Sequence, residues 1–227
     1  MIINSKFDYH PLDREDSPNG RKYVTPDGNR TPSVTTILSA TQPEDKKEGL
    51  SNWRKRVGNT EADRITYEAS NRGTTMHRFL EKWILGEDTT PGSNPVQKQA
   101  HGMSQVIIDK MLIPNLTEIW GVETGLYFPH LYAGTTDLVG TWGGVPSIMD
   151  FKQTNKPKKD EYITDYFLQL AAYAIAHNEV YGTDIKQGVV MMCSVDLVPQ
   201  QWVLSGDKFE YYSKMWWNRL EQYYQTR

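Results

Sequence analysis

The stretch YAGTTDLVGTWGGVPSIMDFKQT, residues 132–154, reads as two β-strands joined by a tight turn. A Gly-Gly pair between two strand-like runs favours a two-residue hairpin turn, which puts Gly143 and Gly144 at its tip. In the register that this turn sets, Asp137 lies opposite Asp150 on one face of the sheet. The predicted hairpin therefore brings two carboxylates together.

Two opposed carboxylates work against a sheet unless something neutralises them. Like charges directly across a strand pair are destabilising, and their repulsion raises one of the two pKa values. A divalent cation bound between the two carboxylates would make their proximity favourable instead of destabilising. Lys152 follows Asp150 by two residues and so projects from the same face. The hairpin predicts a site for hard-metal chemistry on phosphate.

Composition sets the broad class. The 227 residues are 38% hydrophobic and 23% charged, which is typical of one soluble globular domain, and no run approaches the roughly 20 apolar residues of a membrane span. A net charge of −3 argues against a generally basic nucleic-acid coat, so any nucleic-acid contact must be local. The polar, acidic N-terminus resembles neither a secretory signal nor a transit peptide, and a cytoplasmic location is expected.

Cys193 is the only cysteine, and it lies in an apolar run typical of a buried strand. A single thiol excludes an internal disulfide, an iron–sulfur cluster held by four cysteines of this chain, and a cysteine-rich zinc site.

A helix is predicted from Tyr67 to Leu85 because its apolar residues recur at the 3.6-residue period. His77 and Glu81 are four residues apart and project from one side of it. Gly73 would let this helix approach another element closely. A lone histidine on a helix is more often structural than a ligand, and only the hairpin makes His77 a metal-ligand candidate.

The remaining pattern indicates an α/β protein whose mixed sheet is covered by helices. We expect an irregular arm over residues 1–30, with a short hairpin around Tyr23 to Arg30, and a single domain over residues 31–227. Within that domain residues 33–120 form helical decoration and residues 121–227 the catalytic core. The elements predicted there are a short helix capped by Ser33, a basic helix at 52–58, a helical region within 97–120 that ends near Pro114, strands at 121–129, 130–140 and 145–153, a helix at 160–181, a strand pair, and a C-terminal amphipathic helix.

Local cations are candidate DNA contacts. Trp53 and Arg54 combine an aromatic ring with positive charge, which suits a base or phosphate, although a solvated helix face explains them equally well. Lys156 and Lys158 lie just after the hairpin, where a solvated charge run is the alternative. The predicted DNA contacts are Arg54, Arg72, Lys156 and Lys158.

Four motifs together resemble the RecB-type branch of the PD-(D/E)XK nuclease superfamily: Gly73-x-x-x-His77-x-x-x-Glu81, Gly134-Thr-Thr-Asp137, Ile148-Met-Asp150-Phe-Lys152 and Gln169-x-x-x-Tyr173. Within that branch the chain is most similar to the mitochondrial genome maintenance exonuclease family with its phage and bacterial relatives. The resemblance runs from about Pro32 to Tyr224. Thr136 stands where the superfamily usually has proline. The lack of cysteines disfavours the iron–sulfur subfamilies.

The resemblance implies a restriction-endonuclease-like core and a role for each motif residue. His77, Asp137, Asp150 and the Phe151 carbonyl would bind Mg²⁺ or Mn²⁺, which prefer oxygen ligands. Lys152 would orient or activate the attacking water. Glu81 would support the metal ligands, and Gln169 and Tyr173 would border the substrate.

The function expected from this resemblance is a divalent-metal-dependent exodeoxyribonuclease acting on single-stranded DNA ends, in replication, recombination or DNA degradation. Two alternatives stay open. One is a nuclease-like scaffold that binds single-stranded DNA without cutting it, and the other is a structure-specific or RNA-directed nuclease. Phage or bacterial origin is an inference by analogy.

Overall fold

The computed structural model describes residues 2–226, and its centre is a mixed β-sheet flanked by helices, which confirms the predicted fold class. The main strands of this sheet are β5 (Leu116–Phe128), β6 (Tyr132–Trp142), β7 (Val145–Thr154), β8 (Gly188–Ser194) and β9 (Pro199–Leu204). The two-residue β1 (Ile2–Ile3) pairs parallel with β5 at one edge. The pairs β5–β6, β6–β7 and β8–β9 are antiparallel, and β7–β8 is parallel.

Helices cover both faces of the sheet, and alternate residues of each strand point to opposite cores. The helices are α1 (Val34–Ala40), α2 (Glu44–Val57), α3 (Asn59–Ile84), α4 (Pro95–Ile107), α5 (Ile113–Asn115), α6 (Thr164–Tyr181) and α7 (Gly206–Gln225). Leu138 and Met149 belong to the core under α3 and α4, whereas Val139 and Ile148 belong to the core under α1, α6 and α7. Within the described residues, no helix has the length and apolar character needed to cross a bilayer.

The β6–β7 hairpin has the register expected from its turn. Gly143 and Gly144 form the turn with φ of 59° and 81°, a conformation that glycine adopts without steric cost. The pairs run from Trp142–Val145 to Leu138–Met149, and the next two residues along the strands are Asp137 and Asp150.

The N-terminal region differs from the irregular arm that we predicted. β2 (Asp13–Ser17), β3 (Gly20–Val24) and β4 (Arg30–Pro32) form a separate antiparallel sheet, of which only the hairpin around residues 23–30 was expected. The β2–β3 hairpin escaped prediction because β2 is exposed throughout and has no apolar alternation. The buried Tyr23 and the backbone hydrogen bond from Ser33 to the Arg21 carbonyl anchor it instead.

The helical region that we expected to end near Pro114 ends at Asn115, but the following strand begins five residues before the predicted residue 121. After α4 the chain makes a π-helical turn (Ile108–Leu112) and the short α5, and strand β5 already begins at Leu116. Leu116 and Ile119 are buried and pair with β6, so the strand extends back to the end of the helical region.

Gly73 brings α3 close to β7, as its position suggested. A Cβ atom at this residue would lie 3.3 Å from Cγ of Gln153. The Gln153 amide also donates to the backbone carbonyl of Ala69 at 3.0 Å. This contact places the following turns of α3, which carry His77 and Glu81, beside the end of the hairpin.

Candidate active site

His77 and Asp137 form the first contact between α3 and the hairpin. His77 Nδ1 lies 3.3 Å from Asp137 Oδ1. Burial disfavours the charged imidazole, but the charge and hydrogen bond of Asp137 outweigh it and raise the pKa of His77 to about 9. In return, and against the effect of its own burial, the charge of His77 lowers the pKa of Asp137. The metal-free pair is therefore an ion pair near neutral pH.

The β6–β7 ladder stops where this site begins. The last paired residues are Leu138 and Met149, and beyond them Asp137 Oδ2 accepts a hydrogen bond of 2.6 Å from the backbone amide of Phe151. The carboxylate thus satisfies a buried amide that would otherwise bond to the neighbouring strand. The Phe151 carbonyl as a metal ligand stays a prediction.

Asp150 and Lys152 form the second charged pair, between the carboxylate Oδ2 and the ammonium Nζ. Burial raises the pKa of Asp150 to about 6. The charge of Lys152 partly offsets this effect, and the charge of Asp137 adds to it. The Lys152 pKa is raised because the two aspartates outweigh the effect of burial. The buried Asp150 Oδ2 makes no hydrogen bond of good geometry within the described residues, so it retains capacity to accept a further partner.

Glu123 is a candidate residue that our sequence interpretation missed. The ladder pairs Val122–Leu138 and Thr124–Thr136 place it beside Asp137 on the neighbouring strand β5. Its backbone has φ of 47°, next to an irregularity between Ile119 and Gly121 that re-aims the strand. Glu123 is exposed as a residue, but partial desolvation of its carboxyl group and the charge of Asp137 raise its pKa to about 7. Carboxylates from three adjacent strands, Glu123, Asp137 and Asp150, therefore form one row.

Glu123 and Asp137 of this row, together with His77, fit a divalent cation; Asp150 is not part of that close group, and its role as a metal ligand stays a prediction. Ligand atoms of His77, Glu123 and Asp137 all lie within 4.8 Å of one another. Carboxylate oxygens with one imidazole nitrogen suit Mg²⁺ or Mn²⁺, and the nitrogen slightly favours Mn²⁺. A cation here would also relieve the repulsion between neighbouring carboxylates.

Gln169 and Tyr173 lie on α6 and line the same cavity of about 210 Å³ as His77, Glu123 and Asp137. The Tyr173 ring packs against Gly134, where a Cβ would lie 2.6 Å from the phenol oxygen. This close approach explains the glycine of the GTTD motif. Glu81, one turn after His77 on α3, lines an adjoining cavity of about 550 Å³.

The four predicted DNA-contact cations occupy different surroundings. Arg72 is only 7% exposed and donates to Gln153 at 3.0 Å and to Asn155, so it links α3 to the end of β7. Its contact with DNA stays a prediction. Arg54 pairs with Asp63. The Lys156 carbonyl accepts from Thr154 in the loop after β7.

Lys158 extends the site towards α2. Its ammonium lies 5.4 Å from the centre of the Tyr166 ring, and Lys152 lies 5.2 Å from the centre of the same ring. Trp53 of α2, Lys158 and Tyr166 line a groove of about 840 Å³. Gln200 fixes the Lys158 backbone through both its amide and its carbonyl, at 2.7 and 2.8 Å.

Comparison with known proteins supports the resemblance that the motifs suggested. Mitochondrial genome maintenance exonuclease 1 of Mus musculus is 29% identical over 210 residues, covering 86% of this chain and 59% of that protein. The predicted resemblance is confirmed. The Homo sapiens protein of the same name is 24% identical over 225 residues, covering 93% of this chain and 64% of that protein.

The chain thus spans 59–64% of the length of these two relatives. No family model matches the sequence. Among solved structures, a "Putative exonuclease" from Eubacterium rectale aligns with a TM-score of 0.47 and 12% identity, over 66% of this chain and 64% of that one.

Proposed function

We propose that this chain is a divalent-metal-dependent deoxyribonuclease that hydrolyses phosphodiester bonds at single-stranded DNA ends. The observation that carries the proposal is the close group of His77, Glu123 and Asp137, with the Asp150–Lys152 pair on the neighbouring strand β7, in a chain similar to an exonuclease. Preference for single strands and ends rests on that resemblance alone. So do the proposed roles in replication, recombination or degradation.

His77, Asp137 and Asp150, joined by Glu123, are the residues that would hold the cation. A bound Mg²⁺ or Mn²⁺ lowers the pKa of coordinated water and offsets charge on the phosphate. Asp137 has a second task, because its hydrogen bond to the Phe151 amide fixes the hairpin end that carries Asp150 and Lys152.

Lys152 acts as a charged donor in this proposal. Its raised pKa keeps the ammonium protonated at neutral pH, so it stabilises negative charge on the phosphate and orients water instead of abstracting a proton. The contact with Asp150 and the Tyr166 ring hold the ammonium at the cavity.

The groove of Trp53, Lys158 and Tyr166 offers a path for a single strand, since aromatic rings stack on bases and lysine attracts the backbone. The same groove would also suit a second function, that of a scaffold that binds single-stranded DNA without cutting it.

The test is cleavage of 5′- and 3′-labelled linear and circular single strands with Mg²⁺ or Mn²⁺. The proposal expects metal-dependent cutting of linear strands, loss of cutting in Lys152→Ala, and unchanged cutting in Lys186→Ala, whose ammonium pairs with Asp184 on an exposed surface. Rapid cutting of circles would make the protein an endonuclease. Tight binding without turnover under either metal would favour the non-cleaving scaffold, and normal activity of Lys152→Ala would reject the proposed site.

A further inference from the structure

The β2–β3 hairpin forms a wall of the candidate active site. Arg14 of β2 and Arg21 of β3 line the 210 Å³ cavity together with His77 and Asp137. The same two arginines line the adjoining 550 Å³ cavity with His77 and Glu123. Two guanidinium groups therefore share the open space in front of the acidic row.

The wall is anchored to the body of the protein. The Arg21 amide donates to Thr36 Oγ1 at 2.9 Å, and the Ser33 amide donates to the Arg21 carbonyl at 2.9 Å. Tyr23 is 3% exposed, and its hydroxyl lies 3.3 Å from Thr135 Oγ1 on β6, two residues before Asp137. The arginines are thus carried by a backbone that is fixed relative to the site.

The Asp16 carboxylate accepts hydrogen bonds from both guanidinium groups. Arg14 Nε donates to one of its oxygens at 2.7 Å, and Arg21 Nε donates to the other at 2.9 Å. All three side chains are at least one-third exposed, and exposed ion pairs of this kind contribute little because water and salt compete with them. A phosphate can therefore replace the Asp16 carboxylate without a large loss.

A nucleic-acid strand entering this site meets the acidic row, which repels its backbone. Arg14 and Arg21 supply the opposite charge across the cavity, and guanidinium groups bind phosphate oxygens in a bidentate geometry that lysine lacks. We propose that Arg14 and Arg21 bind a backbone phosphate of the strand held at the active site, displacing Asp16. This inference rests on the proposed function, because it takes the substrate to be nucleic acid.

The experiment measures binding of a fluorescent single-stranded oligonucleotide to the 227-residue Lys152→Ala chain in Mg²⁺, over a range of salt concentrations. Adding Arg14→Ala and Arg21→Ala to this chain should weaken binding of the oligonucleotide about tenfold or more. The plot of the logarithm of the association constant against the logarithm of salt concentration should become shallower by about 0.7 for each phosphate that the variant no longer binds. Asp16→Asn should tighten binding several-fold. The matched control is Arg30→Ala, which removes an arginine of the same small sheet that pairs with Glu15; it should change neither quantity.

The same substitutions in the otherwise unchanged chain give an independent readout. KM for the linear strand should rise about tenfold while kcat stays within about twofold, since the arginines bind the phosphate equally in the ground state and the transition state. Unchanged affinity, salt slope and KM in the double variant would overturn the inference, as would equally weakened binding in Arg30→Ala. Failure of the unchanged chain to cut DNA would reject the proposed function, whereas the salt slope would still decide whether the arginines bind phosphate.

Discussion

The two ends of the β6–β7 hairpin use the same pair of strands in different ways. At the turn end, Gly143 and Gly144 close a regular ladder that runs to Leu138–Met149. At the other end the ladder stops, and the Asp137 carboxylate takes the Phe151 amide. The turn end sets the register, and the open end uses that register to hold charged groups.

The difference shows how a sheet can hold charges that oppose its own stability. The regular pairs and the cores on both faces fix the strands, so Asp137 and Asp150 stay close despite their repulsion. Substitutions at the open end should therefore affect chemistry most, and substitutions at the turn end should affect only stability.

The largest effect is expected from Asp150→Asn at the open end. Loss of this carboxylate removes a proposed metal ligand and the partner of Lys152, so metal-dependent cleavage should fall at least about 10²-fold. Single-turnover assays with a labelled strand measure this, with Gly143→Asn at the turn end as the matched control. Equal activity of Asp150→Asn and the control would contradict the claim that the open end carries the chemistry and the turn end does not.

The next effect concerns pH and the ion pair of His77 with Asp137. The folded pKa of His77, about 9, lies above its ordinary value of 6.5, so its stabilising contribution is complete below about pH 6.5 and is lost as pH rises through about 9. The change should amount to about 3 kcal/mol. Urea unfolding in EDTA, compared with His77→Gln, measures it as a stability difference that shrinks with rising pH. A constant difference would mean that the two residues do not form this ion pair.

A smaller effect separates the two tasks of Asp137. Asp137→Asn keeps an acceptor for the Phe151 amide, whereas Asp137→Ala leaves that buried amide without one. We expect Asp137→Ala to be less stable than Asp137→Asn by about 1–3 kcal/mol, with cleavage lost in both. Denaturant unfolding gives the stability difference. Equal stability of the two variants would mean that the hydrogen bond from the Phe151 amide to Asp137 does not stabilise the fold.

The smallest effect is expected at the turn. Gly144 has φ of 81°, so Gly144→Ala should cost about 1 kcal/mol, while Gly143→Asn should be nearly neutral because asparagine tolerates this turn conformation. Neither change should alter cleavage measured below the unfolding temperature. Lost activity in folded Gly143→Asn would show that the turn contributes more than register.

Local signals explain which parts of this architecture were predictable. The Gly-Gly pair carries its own turn geometry, so the register of the hairpin up to the Leu138–Met149 pair followed from the sequence. Gly73 likewise indicated the close contact of α3 with the sheet. His77 became a candidate only in combination with the hairpin, because the spacing of a helix does not show what the helix faces.

Other parts depend on tertiary structure. Glu123 reaches the site through an irregular stretch of β5 and a positive φ; the nearby Gly121 and Gly125 were the available hint of a bulge. Arg14 and Arg21 lie on a hairpin whose exposed strand carries no apolar period. The burial of Arg72 depends on Gln153 and Asn155, more than 80 residues away.

The most direct test of the central claim is calorimetric titration of the metal-free protein with Mn²⁺, because it measures the site without relying on activity. The unchanged chain should bind Mn²⁺ and release protons at pH 7, as His77 loses its proton to become a ligand. Asp137→Asn should weaken binding at least about tenfold, and Gly143→Asn should leave it unchanged. Absence of Mn²⁺ binding, or equal binding by Asp137→Asn, would contradict a metal site on the row Glu123–Asp137–Asp150.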